Sequence, residues 1–138
     1  MKSAKELVAA ANTRIITVRA KDALSLVGDS GTVFVDLRDS AELLRDGVIP
    51  GAVHVSRGTL EFALDPASPS HNSAFSTGKK VVFFCASGSR SALAADTAQQ
   101  MGQQKVSHLG GGFKAWSEAG GAVKKQLSGC SARRVERV

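Results

Sequence analysis

Apolar positions along the chain form short runs that alternate with longer stretches at helical spacing. The runs have the length and β-branched or aromatic content of buried strands; they fall at 14–18, 32–37, 52–55, 81–84 and 105–109. The stretches with helical spacing lie at 20–27, 38–45, 58–64, 89–101 and 113–119. Strands that alternate with helices predict a parallel sheet with helices on both faces, the doubly wound α/β class.

Glycine, proline and serine punctuate these elements without dividing them into two units. Residues 65–78 contain Pro, Ser, Asn and Gly and predict a surface loop. We expect one α/β domain over 14–123, preceded by a short helical arm at 1–13 and followed by a tail at 124–138.

The stretch 79–102 predicts a strand, a tight loop and a helix, with Cys85 directly after the apolar run. In open α/β sheets, ligands bind at the carboxyl ends of the strands, which is where this places Cys85. Unpaired N–H groups at a helix N-terminus carry partial positive charge and can lower a thiol pKa from about 8.5. Cys85 is therefore the predicted nucleophile.

The loop after Cys85 is built from small side chains, which let successive N–H groups turn toward an anion. These residues are Ala86, Ser87, Gly88 and Ser89. Gly88 can adopt a positive φ, and Ser89 or Ser91 can cap the helix that follows.

Composition narrows the classes of function. The 138 residues carry a net charge of +6, but much of the positive charge lies in the last fifteen residues and there is no Tyr, so nucleic acid is an unlikely partner. No apolar run approaches the roughly 20 residues of a membrane span, and the N-terminus lacks a secretory pattern, so we expect a cytoplasmic protein. Two cysteines and no Cys/His cluster predict no disulfide framework, no metal and no cofactor.

Four segments in order resemble the signatures of single-domain rhodaneses. They are VFVDLRD at 33–39, GVIPGAVHV at 47–55, CASGSR at 85–90 and GGFKAW at 111–116, and the resemblance covers about 14–120. It implies a rhodanese-like fold with a five-stranded, mainly parallel sheet. It also implies a sulfurtransferase that carries sulfur as a persulfide of Cys85. The donor would be thiosulfate or another persulfide, and the acceptor cyanide or a thiol.

Loop length separates this interpretation from a related one. Cys85 and Arg90 are spaced C-x4-R, whereas protein tyrosine phosphatases and the phosphatases that share the rhodanese fold resemble C-x5-R. The shorter loop favours a single sulfur atom over a tetrahedral phosphate or arsenate. Positions 86 and 87 carry no cation, unlike some thiosulfate-using rhodaneses, so a protein persulfide or a small persulfide is an alternative natural donor.

Other residues receive supporting roles. Asp36 and Arg38 are expected to brace the loops beside Cys85, and Arg57 to stand at the pocket rim, facing either an anionic donor or solvent. Arg90 is expected either to bind that donor, or to lie on the helix surface or pair with a nearby carboxylate. Glu42 is separately expected to be a salt-bridge partner rather than an acid or base.

Aromatic and histidine residues are expected to be structural. His54 and His108 are predicted strand residues with a satisfied ring nitrogen, and Phe113 and Trp116 core anchors. Two further alternatives stay open: a non-enzymatic rhodanese-like binding module, and a redox switch that pairs Cys85 with Cys130.

Overall fold

The computed structural model describes residues 1–127. Its five strands are β1 (Ile16–Val18), β2 (Thr32–Asp36), β3 (Val53–His54), β4 (Lys80–Phe84) and β5 (Val106–Leu109). They form one sheet in the order β1-β5-β4-β2-β3, and every neighbouring pair is parallel. The predicted five-stranded α/β fold is confirmed, and β4 occupies the centre of the sheet.

Six α-helices are described in residues 1–127, one of them before β1, four between strands and one after β5. They are α1 (Ala4–Asn12), α2 (Ala20–Ala23), α3 (Ser40–Asp46), α4 (Leu60–Leu64), α5 (Ser89–Gln100) and α6 (Gly112–Glu118). Helix α1 begins at a capping box in which Ser3 and Glu6 bond each other's backbone N–H groups. The helix predicted over 20–27 ends at Ala23, after which the chain continues as turns.

Alternating side chains of β4 pack into two hydrophobic cores, one on each face of the sheet. Val81 and Phe83 pack with alanines of α5, while Val82 and Phe84 pack with Trp116 of α6. Because helices cover both faces of the sheet, the side chains of Val81 to Phe84 are buried whichever face they point to. This explains the unbroken apolar run in the sequence, and it confirms that Trp116 anchors a core.

Two connections differ from the sequence-based expectation. Within the predicted surface loop 65–78, Ser73–Ser76 forms a 3-10 turn that Asn72 caps, and its Phe75 is buried in the core. Beyond α6, Lys124 forms an antiparallel bridge with Val48, with both N–H···O distances at 2.9 Å. The first residue of the predicted tail is therefore paired with the domain.

Part of the tail lies outside the described residues. Cys130 and the three arginines at 133, 134 and 137 fall in this part, so the redox switch and the charge of the tail stay predictions. Over residues 1–127, no helix is long and apolar enough to cross a bilayer.

Candidate active site

Cys85 lies where the central strand β4 ends and the loop to α5 begins. It is completely buried, with no exposed surface. The backbone N–H of Leu37, just beyond the neighbouring strand β2, donates to the carbonyl of Phe84 at 2.9 Å, which extends the sheet up to the cysteine. The carboxyl edge of the sheet thus fixes the base of the loop.

Two backbone amides converge on the sulfur. The N–H of Gly88 donates to Cys85 Sγ at 3.1 Å, and the N–H of Ser91 does so at 3.4 Å. Gly88 adopts φ +108°, a left-handed conformation that L side chains rarely adopt. The Ser91 hydroxyl lies 3.7 Å from Sγ and accepts from the thiol. Three hydrogen-bonding groups of the loop and the first turn of α5 are thus directed at one sulfur.

Ser91 is a site residue that sequence reasoning placed only as a possible cap. The helix N-cap is Gly88 and no side chain caps it, so the expected capping by Ser89 or Ser91 was wrong. Instead, Ser91 is fully buried, and its hydroxyl also lies 3.2 Å from the carbonyl oxygen of Gly88. The sequence did hold a signal for this role: Ser91 lies three residues after Gly88, about one helical turn, which places it near the residues of the loop.

The loop side chains turn away from the sulfur. Ser87 and Ser89 are exposed and Ala86 is half-buried. A donor that meets the loop from outside therefore meets small hydroxyl and methyl groups, whereas the backbone of the loop faces Cys85.

Helix α6 holds the loop from behind. The N–H groups of Phe113 and Lys114 donate to the carbonyls of Cys85 and Ala86 at 2.8 and 3.2 Å. Gly112 makes this approach possible, because a Cβ there would lie 2.5 Å from the Cys85 carbonyl oxygen and 2.6 Å from that of Ala86. Two residues of the segment GGFKAW thus bond the carbonyl groups of the loop, while the amides of the loop face the thiol.

Arg90, the last residue of the loop, pairs with Glu42 of α3. Its Nη1 and Nη2 donate to the two carboxylate oxygens at 2.8 and 2.9 Å. These hydrogen bonds, opposed by desolvation, lower the pKa of Glu42 to about 2, and the Asp39 N–H adds to them. The same pair raises the pKa of Arg90. Of the two roles expected of Arg90, the structure shows the carboxylate partner.

Asp36 and Arg38 form a buried ion pair at the end of β2. Arg38 Nη2 donates to Asp36 at 2.7 Å and to the carbonyl of Gly47 at 2.8 Å, and its guanidinium carbon lies 4.1 Å from the centre of the Phe113 ring. Both side chains are almost fully buried. The pair connects β2 to the loop after α3 and to the helix that holds the cysteine loop.

Arg57 lies elsewhere. Its Nη1 pairs with Glu61 at 3.1 Å and its Nη2 lies 3.5 Å from the Thr97 hydroxyl, so it links α4 to α5. It makes no hydrogen bond with Cys85 or with the loop in residues 1–127, and its proposed place at the pocket rim stays a prediction.

His108 of β5 stands behind Ser91. Its Nδ1 lies 2.9 Å from the Ser91 hydroxyl and its Nε2 lies 3.1 Å from the Thr17 hydroxyl. Burial lowers the pKa of His108, which therefore stays neutral near pH 7. The prediction of a strand histidine with a satisfied ring nitrogen is confirmed, but its link to Cys85 through Ser91 was not foreseen.

The region that the structure describes holds no group of three or more His, Cys, Asp or Glu side chains placed to bind a metal ion. Among the described residues, the groups that hydrogen-bond to Cys85 Sγ are two backbone amides and the hydroxyl of Ser91.

The protein is thus an α/β domain in which a loop at the carboxyl edge of a parallel sheet holds a cysteine thiol through backbone amides. The model of the rhodanese-like domain matches residues 4–119, and the chain belongs to that family. The mouse thiosulfate sulfurtransferase/rhodanese-like domain-containing protein 3 is 29% identical over 104 residues, which cover 72% of this chain. The match spans 66% of that relative's length, just under two thirds.

Solved structures extend this similarity. A protein of unknown function from Rhodopseudomonas palustris, described as a possible tyrosine phosphatase, is 48% identical with a TM-score of 0.87, covering 90% of this chain and 96% of that one. A thiosulfate sulfurtransferase from Pseudomonas aeruginosa is 27% identical with a TM-score of 0.68, covering 83% of this chain and 20% of that one.

Proposed function

We propose that the protein is a sulfurtransferase that carries a sulfane sulfur as a persulfide on Cys85. The observation that supports this most is the convergence of the Gly88 and Ser91 amides on one sulfur, at 3.1 and 3.4 Å. Donors arranged in this way stabilise a thiolate, the form of cysteine that acts as a nucleophile.

The reaction proceeds in two displacements. The Cys85 thiolate attacks the outer sulfur of thiosulfate, or the terminal sulfur of a persulfide. A new S–S bond forms, and sulfite or a thiolate leaves with the electron pair of the broken bond. An acceptor thiolate or cyanide then attacks the terminal sulfur, and Cys85 returns as a thiolate. No net oxidation occurs, since the sulfur atom and its oxidation state pass from donor to acceptor.

The charges around the loop favour a persulfide donor over thiosulfate. Ala86 and Ser87 supply no cation, and both terminal nitrogens of Arg90 are occupied by Glu42. The side chains of the loop itself therefore offer a dianion such as thiosulfate little positive charge, and the nearby cations, Arg45 and Lys114, line a cavity beside Ala86 rather than the loop around the sulfur. A persulfide carries less negative charge, so we propose that a protein or small-molecule persulfide is the natural donor and that thiosulfate reacts slowly.

A donor screen read by intact mass tests the proposal. Exposure to a small persulfide or to thiosulfate is expected to add one sulfur atom to the chain, and cyanide to remove it. Cys85→Ser is expected to show neither step, and an adduct that persists in this variant would place the chemistry on another residue.

One observation favours a second candidate, a non-enzymatic rhodanese-like binding module. Cys85 has no exposed surface, so a donor reaches it only when the surrounding residues move. No adduct with any donor, together with a thiol that stays protonated at neutral pH, would support this candidate. Hydrolysis of an aryl phosphate would instead support the phosphatase alternative, against which the C-x4-R loop argues.

A further inference from the structure

Four side chains form a continuous hydrogen-bonded row that begins at the thiol. Cys85 Sγ lies 3.7 Å from the Ser91 hydroxyl, which lies 2.9 Å from Nδ1 of His108. Nε2 of His108 lies 3.1 Å from the hydroxyl of Thr17 on β1. Cys85, Ser91 and His108 are buried, whereas Thr17 is exposed. The row therefore leads from a sealed sulfur to the surface.

A thiol that ionises while its shell stays closed needs such a route. Before Cys85 can act as a nucleophile its proton must leave, yet none of its surface is exposed to solvent. The amides of Gly88 and Ser91 only donate hydrogen bonds, so neither can take the proton. The Ser91 hydroxyl can, because it both accepts and donates.

From this geometry we infer that Ser91 and His108 form a path by which the proton of Cys85 is released. The path reaches solvent at Thr17 on the edge strand β1. The thiol S–H bond breaks as its proton passes to the Ser91 oxygen, while the proton of Ser91 passes to Nδ1 of His108. The imidazolium then passes its Nε2 proton to the oxygen of Thr17, while the exposed hydroxyl of Thr17 gives up its own proton to solvent.

Each proton is accounted for in the two resting states. In the thiol state Cys85 donates to Ser91, Ser91 donates to Nδ1 at 2.9 Å in preference to the Gly88 carbonyl at 3.2 Å, and Nε2–H donates to Thr17. In the thiolate state every bond is reversed: Thr17 donates to Nε2, Nδ1–H donates to Ser91, and Ser91 donates to the sulfur. One proton has left, and the ring of His108 is neutral at both ends of the process.

The surroundings of His108 agree with a ring that transfers a proton without retaining it. A cavity of about 470 Å³ lies beside the ring. Its lining, which includes Asn12, Thr17 and Ser87, holds no titratable side chain other than His108. The groups that face the ring are thus Thr17 from β1, Ser91 from α5 and, through Ser91, Cys85. Burial lowers the pKa of His108, so the imidazolium is short-lived.

The path makes His108 a positioning residue, which acts on the sulfur through Ser91. This inference deepens the proposed function and rests on it, since it gives that reaction its thiolate. The test of the path follows ionisation of the thiol and uses no sulfur donor. The path can therefore be disproved while sulfur transfer is found, and sulfur transfer can be disproved while the path is found.

Nitrogen NMR of the full chain reads the path directly. We expect the protonated ring nitrogen of His108 to change from Nε2 to Nδ1 as the thiolate absorbance of Cys85 appears with rising pH. In Cys85→Ala the tautomer is expected to stay fixed over the same range. A tautomer that does not change while the wild-type thiol ionises would overturn the inference, and a purely structural histidine gives that result.

Kinetics supply an independent measurement. After a rapid jump to higher pH, thiolate absorbance in Ser91→Ala and His108→Phe is expected to appear at least about tenfold more slowly than in the wild type. His71→Gln is the control and is expected to match the wild type, because the His71 ring hydrogen-bonds only to Ser76 among the described residues. Equal rates in Ser91→Ala and the wild type would also overturn the path.

Discussion

The guanidinium of Arg90 lies edge to edge with the carboxylate of Glu42, joined by two hydrogen bonds of 2.8 and 2.9 Å. The pair ties the first turn of α5 to the first turn of α3. Since Glu42 also accepts from the N–H of Asp39, one carboxylate fixes the end of the cysteine loop and the start of a neighbouring helix. This carboxylate is half-buried and its pKa is far below the ordinary value. Its contribution to the free energy of unfolding can therefore be measured by comparing stability above and below the range in which it takes up a proton.

Glu42→Gln is expected to lower the free energy of unfolding at pH 7 by about 1–3 kcal/mol. The folded pKa of Glu42 is about 2 against an ordinary 4.5, so the carboxylate stabilises the fold above pH 4.5 and loses this effect as the pH falls toward 2. Urea denaturation across that range should show the wild-type and variant curves converging at low pH.

Glu61→Gln is the matched control, because Glu61 pairs with Arg57 near the surface at an i,i+4 spacing. It is expected to cost less than about 0.5 kcal/mol. Equal losses in the two variants would contradict a special role for the Arg90 pair.

Gly112→Ala is expected to destabilise the protein and disturb the cysteine loop. Its Cβ would collide with the carbonyls of Cys85 and Ala86, and its φ of +63° is unfavourable for alanine. Gly120 shares a positive φ, +85°, but has open space around its Cβ position. Gly120→Ala should therefore cost about 1 kcal/mol and Gly112→Ala at least about 2 kcal/mol more.

Thermal unfolding measures both glycine variants. The thiolate absorbance of Cys85 should change in Gly112→Ala and not in Gly120→Ala, since only the former moves the backbone of the loop. Similar melting temperatures would show that the loop accommodates a methyl group at position 112.

Asp36→Asn leaves the buried guanidinium of Arg38 without its charged partner. Since removing one member of a buried pair costs about 3–5 kcal/mol, we expect a loss of that order in chemical denaturation. Asp22→Asn is the comparison, because Asp22 pairs with Arg19 in solvent, and it should cost less than about 1 kcal/mol. A small loss at position 36 would mean that the amide oxygen and local water replace the carboxylate.

His108 predicts a second, separate pH effect. Its pKa lies below the ordinary 6.5 because of burial, so the unfolded chain binds the proton more readily than the folded one. Stability should therefore be fully present above pH 6.5 and decline as the pH falls through the folded pKa. Denaturation midpoints between pH 7 and 5 should fall less steeply in His108→Asn than in His71→Asn. Parallel slopes would indicate that another group titrates in this range.

The sequence predicted the sheet well because each strand carries its own signal. The run of β4, Val81 to Phe84, is apolar on both faces, which occurs only where a strand has neighbours on both sides and helices above and below. The position of Cys85 followed from the same run. Short helices were placed less accurately. Helix α2 stops at Ala23 although its apolar spacing continues to Val27, and the backbone then forms three-residue turns, such as the bond from the Leu26 N–H to the Ala23 carbonyl.

The details of the site were harder to foresee because they join distant segments. Ser91 and His108 are 17 residues apart and meet only once β5 lies beside β4. Arg90 and Glu42 are 48 residues apart, so either role of the arginine fitted the local sequence. The close approach of Gly112 to the Cys85 carbonyl is likewise invisible until α6 is docked.

The complete enclosure of Cys85 has a kinetic consequence. If reagents reach the sulfur only while the surrounding shell is transiently open, the frequency of opening sets one maximum rate for all of them. Increasing concentrations of chemically different electrophiles should then approach the same plateau, set by the protein's own fluctuations and independent of the intrinsic reactivity of each compound.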